Sequence, residues 1–415
     1  MEVKQGYKQT EVGVIPLTWD VVSFDEIANK HKKWSITGGP FGSNLKVSDY
    51  TADGIQIIQL QNIGDGVFHD ESQIFTSKEK ADELISCNIY AGEIILSKMG
   101  DPVARACFIP CKAERYVMAS DGIRLLVDEA KFSKKFIHDY INSSYFRKRA
   151  FEISTGTTRQ RIGLPELKTL LVICPPLPEQ TAIANALTDM DSLISQTEKL
   201  IEKKKAIKQG AMQELLKPKA GWVTKKLGDL VSVIKSGGTP LTSIKEYYNG
   251  EIPFLSISDM TSQGKYLSTT SSKISQNGLD NSSSWLVQNG SLIYSMYASV
   301  GFVSLNKIDI AISQAVLGMK FKDFMNLNFM YYTLLSMQKS VLKFVGEGTQ
   351  KNLNAASVKK FDIKYPSTFE QESIADILSN MDSDIDLQIK KLKKLKQQKQ
   401  GMMQALLTGK IRLVS

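Results

Sequence analysis

Arginine and glutamine carry planar groups that fit guanine and adenine edges, whereas lysine and threonine suit phosphate oxygens. Such residues gather twice in this chain, as Thr157-Thr158-Arg159-Gln160-Arg161 and as Thr349-Gln350-Lys351-Asn352, with Thr158 and Thr349 separated by 191 positions. One such loop would read as a solvated helix cap. Its recurrence at a corresponding place favours binding. Ser97, Lys98 and Arg105 in the first half, and Ser295 and Tyr297 in the second, are grouped with these loops as candidate DNA contacts. Arg147-Lys148-Arg149 is a further basic run, read as phosphate-facing or solvated.

Catalytic tools are missing. The chain has no G-x-x-x-x-G-K-[ST] loop, no G-x-G-x-x-G after a strand and no G-x-S-x-G, and it has only three histidines, His31, His69 and His138. Cys174-Pro175-Pro176-Leu177 superficially matches the Asn/Asp-Pro-Pro-aromatic element of amino-methyltransferases, but lacks both the acceptor and the aromatic platform, and reads as a rigid joint. The acidic pairs Asp189/Asp191 and Asp382/Asp384/Asp386 fall on a helical pattern, where solvation or charge pairing is the ordinary role. Cys107 and Cys111 are four apart with no second ligand pair nearby, and the four cysteines are too few for a disulfide scaffold. The expectation is a binding protein with no catalytic, cofactor or metal site of its own.

The elements that position these loops are announced by an internal repeat. Laying Glu179-Gln180 over Glu370-Gln371 gives 19 identities over 38 ungapped positions, ending with Leu215-Leu216 over Leu406-Leu407. Within each copy, apolar residues recur at alternating steps of four and three, the spacing that keeps one helix face toward a partner helix. The predicted seam is Ile183, Leu187, Met190, Ile194 and Ile201 in the first copy, and Ile374, Leu378, Met381, Ile385, Leu392 and Leu395 in the second. Gly210 and Gly401 interrupt the pattern at about 1 kcal/mol each, which suggests a kink or a close helix crossing. Ser367-x-x-Glu370 offers a capping box for the second helix.

A helix of 38 residues is about 57 Å long, whereas the linker Lys217-Pro218-Lys219-Ala220-Gly221 reaches about 18 Å. Connectivity therefore predicts an antiparallel pair with a globular unit at either end, related by a pseudo-two-fold axis. The preceding units resemble each other only weakly, but in order. Gly38-Gly39-Pro40 answers Gly237-Gly238-Thr239-Pro240, and Gly92 to Ser97 answers Gly290 to Ser295. Strand-like runs are 55–60, 93–97, 123–127, 252–257, 292–295 and 311–319, and helical patterns close the units at 134–152 and 327–345. The fold class is α+β. Two mixed α/β domains are separated by a long antiparallel two-helix coiled coil. The predicted divisions are an N-terminal arm 1–20, a first domain 21–174, a helix 175–220, a second domain 221–365 and a second helix 366–415.

Composition bounds the rest. The chain has 415 residues, 42% hydrophobic and 23% charged, enough for two or three folded units and too apolar for wholesale disorder. Its longest aliphatic run, Leu170 to Cys174, cannot span a bilayer, and the polar Met1-Glu2-Val3-Lys4-Gln5 leads to no apolar stretch, so a cytoplasmic location is expected. The net charge of +9 is modest, but no acidic residue follows Leu387, while Lys390, Lys391, Lys393, Lys394, Lys396, Lys399, Lys410 and Arg412 accumulate.

Tyr7-Lys8-Gln9-Thr10-Glu11-Val12-Gly13-Val14-Ile15-Pro16 followed by Trp19 resembles the N-terminal signature of specificity subunits of type I restriction-modification systems. Pro176-Leu177-Pro178-Glu179-Gln180, with the helix ending Lys208-Gln209-Gly210-x-Met212-Gln213-x-Leu215-Leu216, is similar to their helical region, and the order of parts agrees over the whole chain. One departure is Ser367-Thr368-Phe369 before Glu370, where the first copy has Pro-Leu-Pro. The resemblance implies a non-catalytic subunit that binds bipartite double-stranded DNA, one half-site per recognition domain. It also implies recruitment of two methyltransferase subunits and of restriction subunits, with S-adenosylmethionine, ATP and magnesium held by those partners. The competing reading is a coiled-coil adaptor that binds only proteins.

Overall fold

In a computed structural model that describes residues 5–347 and 353–413, each globular part opens and closes on strands that pair with one another. Asp20–Ser23 lies antiparallel to Leu171–Cys174, and Val223–Lys226 lies antiparallel to Asp362–Tyr365. The closing strand leads in each case into a helix of 39 residues, Leu177–Leu215 or Thr368–Leu406.

Between those strands both parts build the same two sheets. In the first part, Ala106–Phe108, Ile94–Ser97, Gly122–Leu125 and Ile36–Gly38 form an antiparallel sheet in that order. Its counterpart runs Val303–Asn306, Leu292–Ser295, Val316–Phe321 and Val231–Ser236, with Tyr266–Leu267 added at one edge. The second sheet has a parallel pair at its centre, Ile55–Ile58 beside Arg115–Met118, and Ile252–Leu255 beside Ile310–Ile312. Alternation along the strands divides the core. Ile95 and Ile293 face the second sheet and meet Ile58 and Met118, or Leu255 and Ile312. Ile94 and Leu96, and likewise Leu292 and Tyr294, face helices and meet Phe136 and Tyr140, or Phe329 and Tyr332.

Two expected elements are divided. The helical pattern 134–152 is two helices, Lys134–Ile141 and Ser144–Glu152, because the Ser143 hydroxyl accepts the Phe146 N–H and starts a new helix. The strand-like run 311–319 contributes to both sheets, as Ile310–Ile312 and Val316–Phe321, since polar Ser313-Gln314 turns the chain between them.

The chain forms two compact units, Met1–Thr197 with Lys391–Ser415, and Glu198–Lys390, so each holds half of each long helix. In the first, Ile183, Ala184 and Leu187 share a core with Leu406 and Leu407, while Lys399 pairs with Asp191 at 2.5 Å and Arg412 clasps Glu179 with two hydrogen bonds. In the second, Ile374, Ala375 and Leu378 share a core with Met212, Leu215 and Leu216, while Lys208 pairs with Asp382 and Lys204 with Asp384. Later residues of one helix meet earlier residues of the other in both units, so the pairing within each is antiparallel. Asp191 and Asp382 occupy the same place in the repeat, as do Lys208 and Lys399. One ion pair is thus made twice, each copy supplying the acid once and the base once.

Of the predicted seam, Ile183, Leu187, Ile201, Ile374, Leu378, Ile385 and Leu395 are buried, and Met190, Ile194, Met381 and Leu392 are half-buried. The close crossing expected at Gly210 and Gly401 is not found. Both helices run through these positions, and a Cβ there would meet nothing within 4 Å.

The repeated glutamine fastens each helix to its globular part. Gln180 accepts the Ser133 N–H at 2.8 Å and donates to the Pro175 carbonyl, while Gln371 accepts the Asn326 N–H at 2.9 Å and donates to the Pro366 carbonyl. The second joint has the same clamp as the first without the Pro-Leu-Pro sequence. Replacing Gln371 with Met, of similar volume, strands the Asn326 N–H and the Pro366 and Phe324 carbonyls and is expected to lower stability by about 2–3 kcal/mol. Gly401→Ala is expected to raise it by up to about 1 kcal/mol. Urea unfolding of the two variants checks both signs.

Candidate nucleic-acid interface

Four loops of the first unit are stitched together by backbone hydrogen bonds. Gly39 N–H donates to Gly122 at 2.8 Å, Lys98 N–H to Asp121 at 2.7 Å, Gly100 N–H to Gln160 at 3.2 Å, and Ile162 N–H to Lys98 at 2.9 Å. Met99 and Arg161 form a β-bridge. The two groups singled out in the sequence, residues 97–105 and 157–161, therefore share one surface. Between them lies a cleft of about 630 Å³, lined by Leu60, Gln61, Met99, Arg105, Phe151 and the loop from Thr157 to Gln160.

The expected contact residues divide by what their side chains already do. Ser97 is fully buried and its hydroxyl accepts the Arg105 N–H at 3.1 Å. Ser295, also fully buried, donates to the Tyr297 carbonyl at 2.8 Å. These serines hold turns, and neither faces solvent. The Lys98 ammonium donates to the Ser120 carbonyl at 2.8 Å, and burial, with Arg161 adding to it, holds its pKa below the ordinary lysine range. Gln160 has both ends of its amide engaged inside its own loop, donating to Gly156 at 2.9 Å and accepting the Ser154 hydroxyl at 2.8 Å. Gly156, with φ +112°, is needed for this turn, because a Cβ would lie 2.4 Å from the Arg159 carbonyl. Arg161 leans on Asp121 at 3.1 Å. Arg105 lines the cleft, and its buried Nε has no partner among the described residues.

That leaves Thr157, Thr158 and Arg159, all exposed, at the open rim. Among the described residues Arg159 makes no hydrogen bond or ion pair, so its whole guanidinium fork is presented to solvent. Arg147, read from sequence as phosphate-facing or solvated, is instead buried, donating to the Ile141 carbonyl and to Asp65 at 2.7 Å. Gln61 and Phe151 were missed in the sequence. The available signal for Phe151 was an apolar residue beside a basic run, and it is 54% exposed at the cleft.

In the second unit the corresponding turn has the same backbone. Ser295 N–H donates to Phe302 and Gly301 N–H to Ser295, as Ser97 N–H donates to Arg105 and Ala104 N–H to Ser97. Phe302 thus stands where the first unit has Arg105. Tyr297 is half-buried against the core. Thr349, Gln350, Lys351 and Asn352 lie outside the described residues.

Among the described residues, no group of three or more His, Cys, Asp or Glu side chains is placed to hold a metal ion. Burial pushes the Cys107 and Cys174 thiols up to about 12. No described helix is long and apolar enough to cross a membrane.

A family model described as the type I restriction modification DNA specificity domain matches residues 16–209 and again residues 219–397. A Methanocaldococcus jannaschii chain assigned as the MjaX type I restriction enzyme specificity subunit is 24% identical, over 99% of this chain and 97% of that one. Among the solved structures that share the fold are these two. One is a chain from a study of complex assembly and conformational transition in a type I R-M system, with a TM-score of 0.67, 14% identity, and coverage of 96% of this chain and 99% of that one. The other is the HsdS subunit from Thermoanaerobacter tengcongensis, with a TM-score of 0.53, 15% identity, and coverage of 96% and 98%.

The two arginines of the basic loops should separate in a stability measurement. Arg147→Ala strands the buried Ile141 carbonyl and removes the ion pair to the exposed Asp65, and is expected to cost roughly 1–3 kcal/mol, whereas Arg159→Ala should stay within about 0.5 kcal/mol of the parent. Chemical denaturation of both proteins reads the difference.

Proposed function

The chain belongs to the type I restriction modification DNA specificity family, and from that premise we propose that it reads a bipartite, asymmetric DNA target, one half-site per globular unit. In such a system the specificity subunit supplies DNA sequence recognition and no catalysis. The partners proposed are two methyltransferase subunits and the restriction subunits, which would bind S-adenosylmethionine, ATP and Mg²⁺. The proposed location, with the DNA, is the cytoplasm.

One observation carries this reading. The two units keep the same strand order while changing the chemistry of corresponding loop positions, as at Arg105 and Phe302. A common frame whose corresponding loop positions differ, an arginine lining the cleft in one unit and a phenylalanine half-buried against the second-sheet core in the other, supports two readers of different sequence. The retained helix pair, with its reciprocal Asp191–Lys399 and Lys208–Asp382 pairs, supports a spacer of constant length between them. Arg159 is the side chain of the first unit best placed to add base or phosphate contacts.

Methylome sequencing of a host that expresses the chain with its cognate methyltransferase subunits tests the reading. The expected result is one two-part, non-palindromic methylated motif. A contiguous or palindromic motif would contradict it, and absence of any new methylation would favour a protein-only adaptor. Inserting four residues at matched heights in both long helices adds about 6 Å, or roughly two base-pair steps, so the undefined gap in the motif should lengthen. An unchanged gap with an active complex would remove the spacer role. Arg159→Ala should weaken target binding by about 1–3 kcal/mol if the guanidinium contacts a base, with the loss confined to one half-site.

A further inference from the structure

Each unit spends a large apolar side chain at the tip of a loop where the core cannot use it. In the first, Pro40 is buried, Phe41 is 83% exposed, and the chain re-enters the core at Leu45. In the second, Pro240 is buried and Leu241 is 64% exposed. The tips have the same build. Asn44 N–H donates to the Phe41 carbonyl at 2.8 Å, and Ile244 N–H donates to the Leu241 carbonyl at 3.1 Å, so each apolar residue opens a reverse turn.

Both loops are pinned at the base. A Cβ on Gly39 would sit 1.8 Å from the Ala119 carbonyl, and one on Gly237 would sit 1.8 Å from the Ile312 carbonyl. Such close backbone approach fixes the base of each loop against the strand-end turn beside it. In the first unit the same base touches the interface described above. Lys98, whose ammonium lies against Gly38, donates to Ser120, and the adjacent Asp121 holds Arg161. Beside the second tip, Thr239 donates to Gln314 at 2.6 Å.

Resting on the DNA-recognition reading, we propose that Phe41 and Leu241 are wedges that enter a groove of the DNA and partly unstack one base step in each half-site. Apolar wedges of this kind kink the duplex. The flanking residues are small and polar, Gly42-Ser43-Asn44 after Phe41 and Thr242-Ser243 after Leu241, and all are exposed. A protein-docking surface would instead be expected to present a contiguous apolar patch of several hundred Å². A base step accepts either phenylalanine or leucine, since it asks for apolar volume rather than a hydrogen bond.

The test uses the full chain assembled with its methyltransferase subunits, on duplexes carrying the target found by methylome sequencing, with 2-aminopurine placed at successive steps. Wild-type complex should raise the fluorescence at one step in each half-site. Phe41→Ser should abolish the rise in one half-site and weaken target binding roughly tenfold to a hundredfold, Leu241→Ser should do so in the other, and Phe41→Leu should retain the signal. Thermal unfolding of each variant should match the parent, because both side chains are exposed. Target binding with no rise at any step, or Phe41→Ser and Leu241→Ser variants that bind as the parent does, overturns the wedge while leaving DNA recognition intact. Loss of the methyltransferase subunits from the Phe41→Ser complex overturns it in favour of a protein contact. Failure of the wild-type complex to distinguish the target from a scrambled duplex sinks the underlying reading itself.

Discussion

The rest of the structure depends on two copies of one helical sequence each satisfying the other. Asp191 of the first copy holds Lys399 of the second, and Asp382 of the second holds Lys208 of the first. Apolar residues on the seam supply the association, and the paired charges select one register over its neighbours. The same acids reach the globular parts. Asp191 lies 3.6 Å from Lys135, and Asp382 accepts from Tyr332 at 2.5 Å and from Lys265 at 3.5 Å. The ends repeat the logic, with Arg412 on Glu179 and Lys219 on Glu370. Each copy supplies the acid at one position and the base at another, so making both pairs requires both residue types to be kept in both helices.

Freedom to diverge comes from where the loops attach. The strand order and the two faces of each sheet are set by buried Ile, Leu, Val and Met, which ask only for apolar volume at alternate positions. Loop residues beyond the strand ends are constrained at a few backbone contacts, such as the paired turns at Ser97 and Ser295. The exposed positions between those contacts are available for different chemistry in each unit. A scaffold divided in this way can change what it reads without changing how it holds itself together.

Much of the scaffold was legible because it is written in periodic, duplicated residues. The seam spacing and the short linker suffice to predict long antiparallel helices, and Cys174-Pro175-Pro176-Leu177 announces a joint before the first of them. The glutamine clamp itself was not legible, since its partners, Ser133 and Asn326, lie 47 and 45 residues away. The loops were harder for the same reason. Lys98 has a side chain suited to DNA, but the Ser120 carbonyl, 22 residues away, already holds it, while Ser97 and Gln160 are taken up by the turns in which they sit. Gly210 and Gly401 suggested a close crossing, yet open space adjoins both. Arg147 looked like its basic neighbours until Asp65, far off in sequence, was found beside it.

The central claim is that reading resides in the separate globular units and holding resides in the repeated helices. Its most direct measurement is the methylated motif produced after residues 21–174 are exchanged for the matching domain of a relative with a known target. The account predicts that one half of the motif changes to that of the donor, while the other half and the gap between them remain. A motif altered in both halves would contradict it.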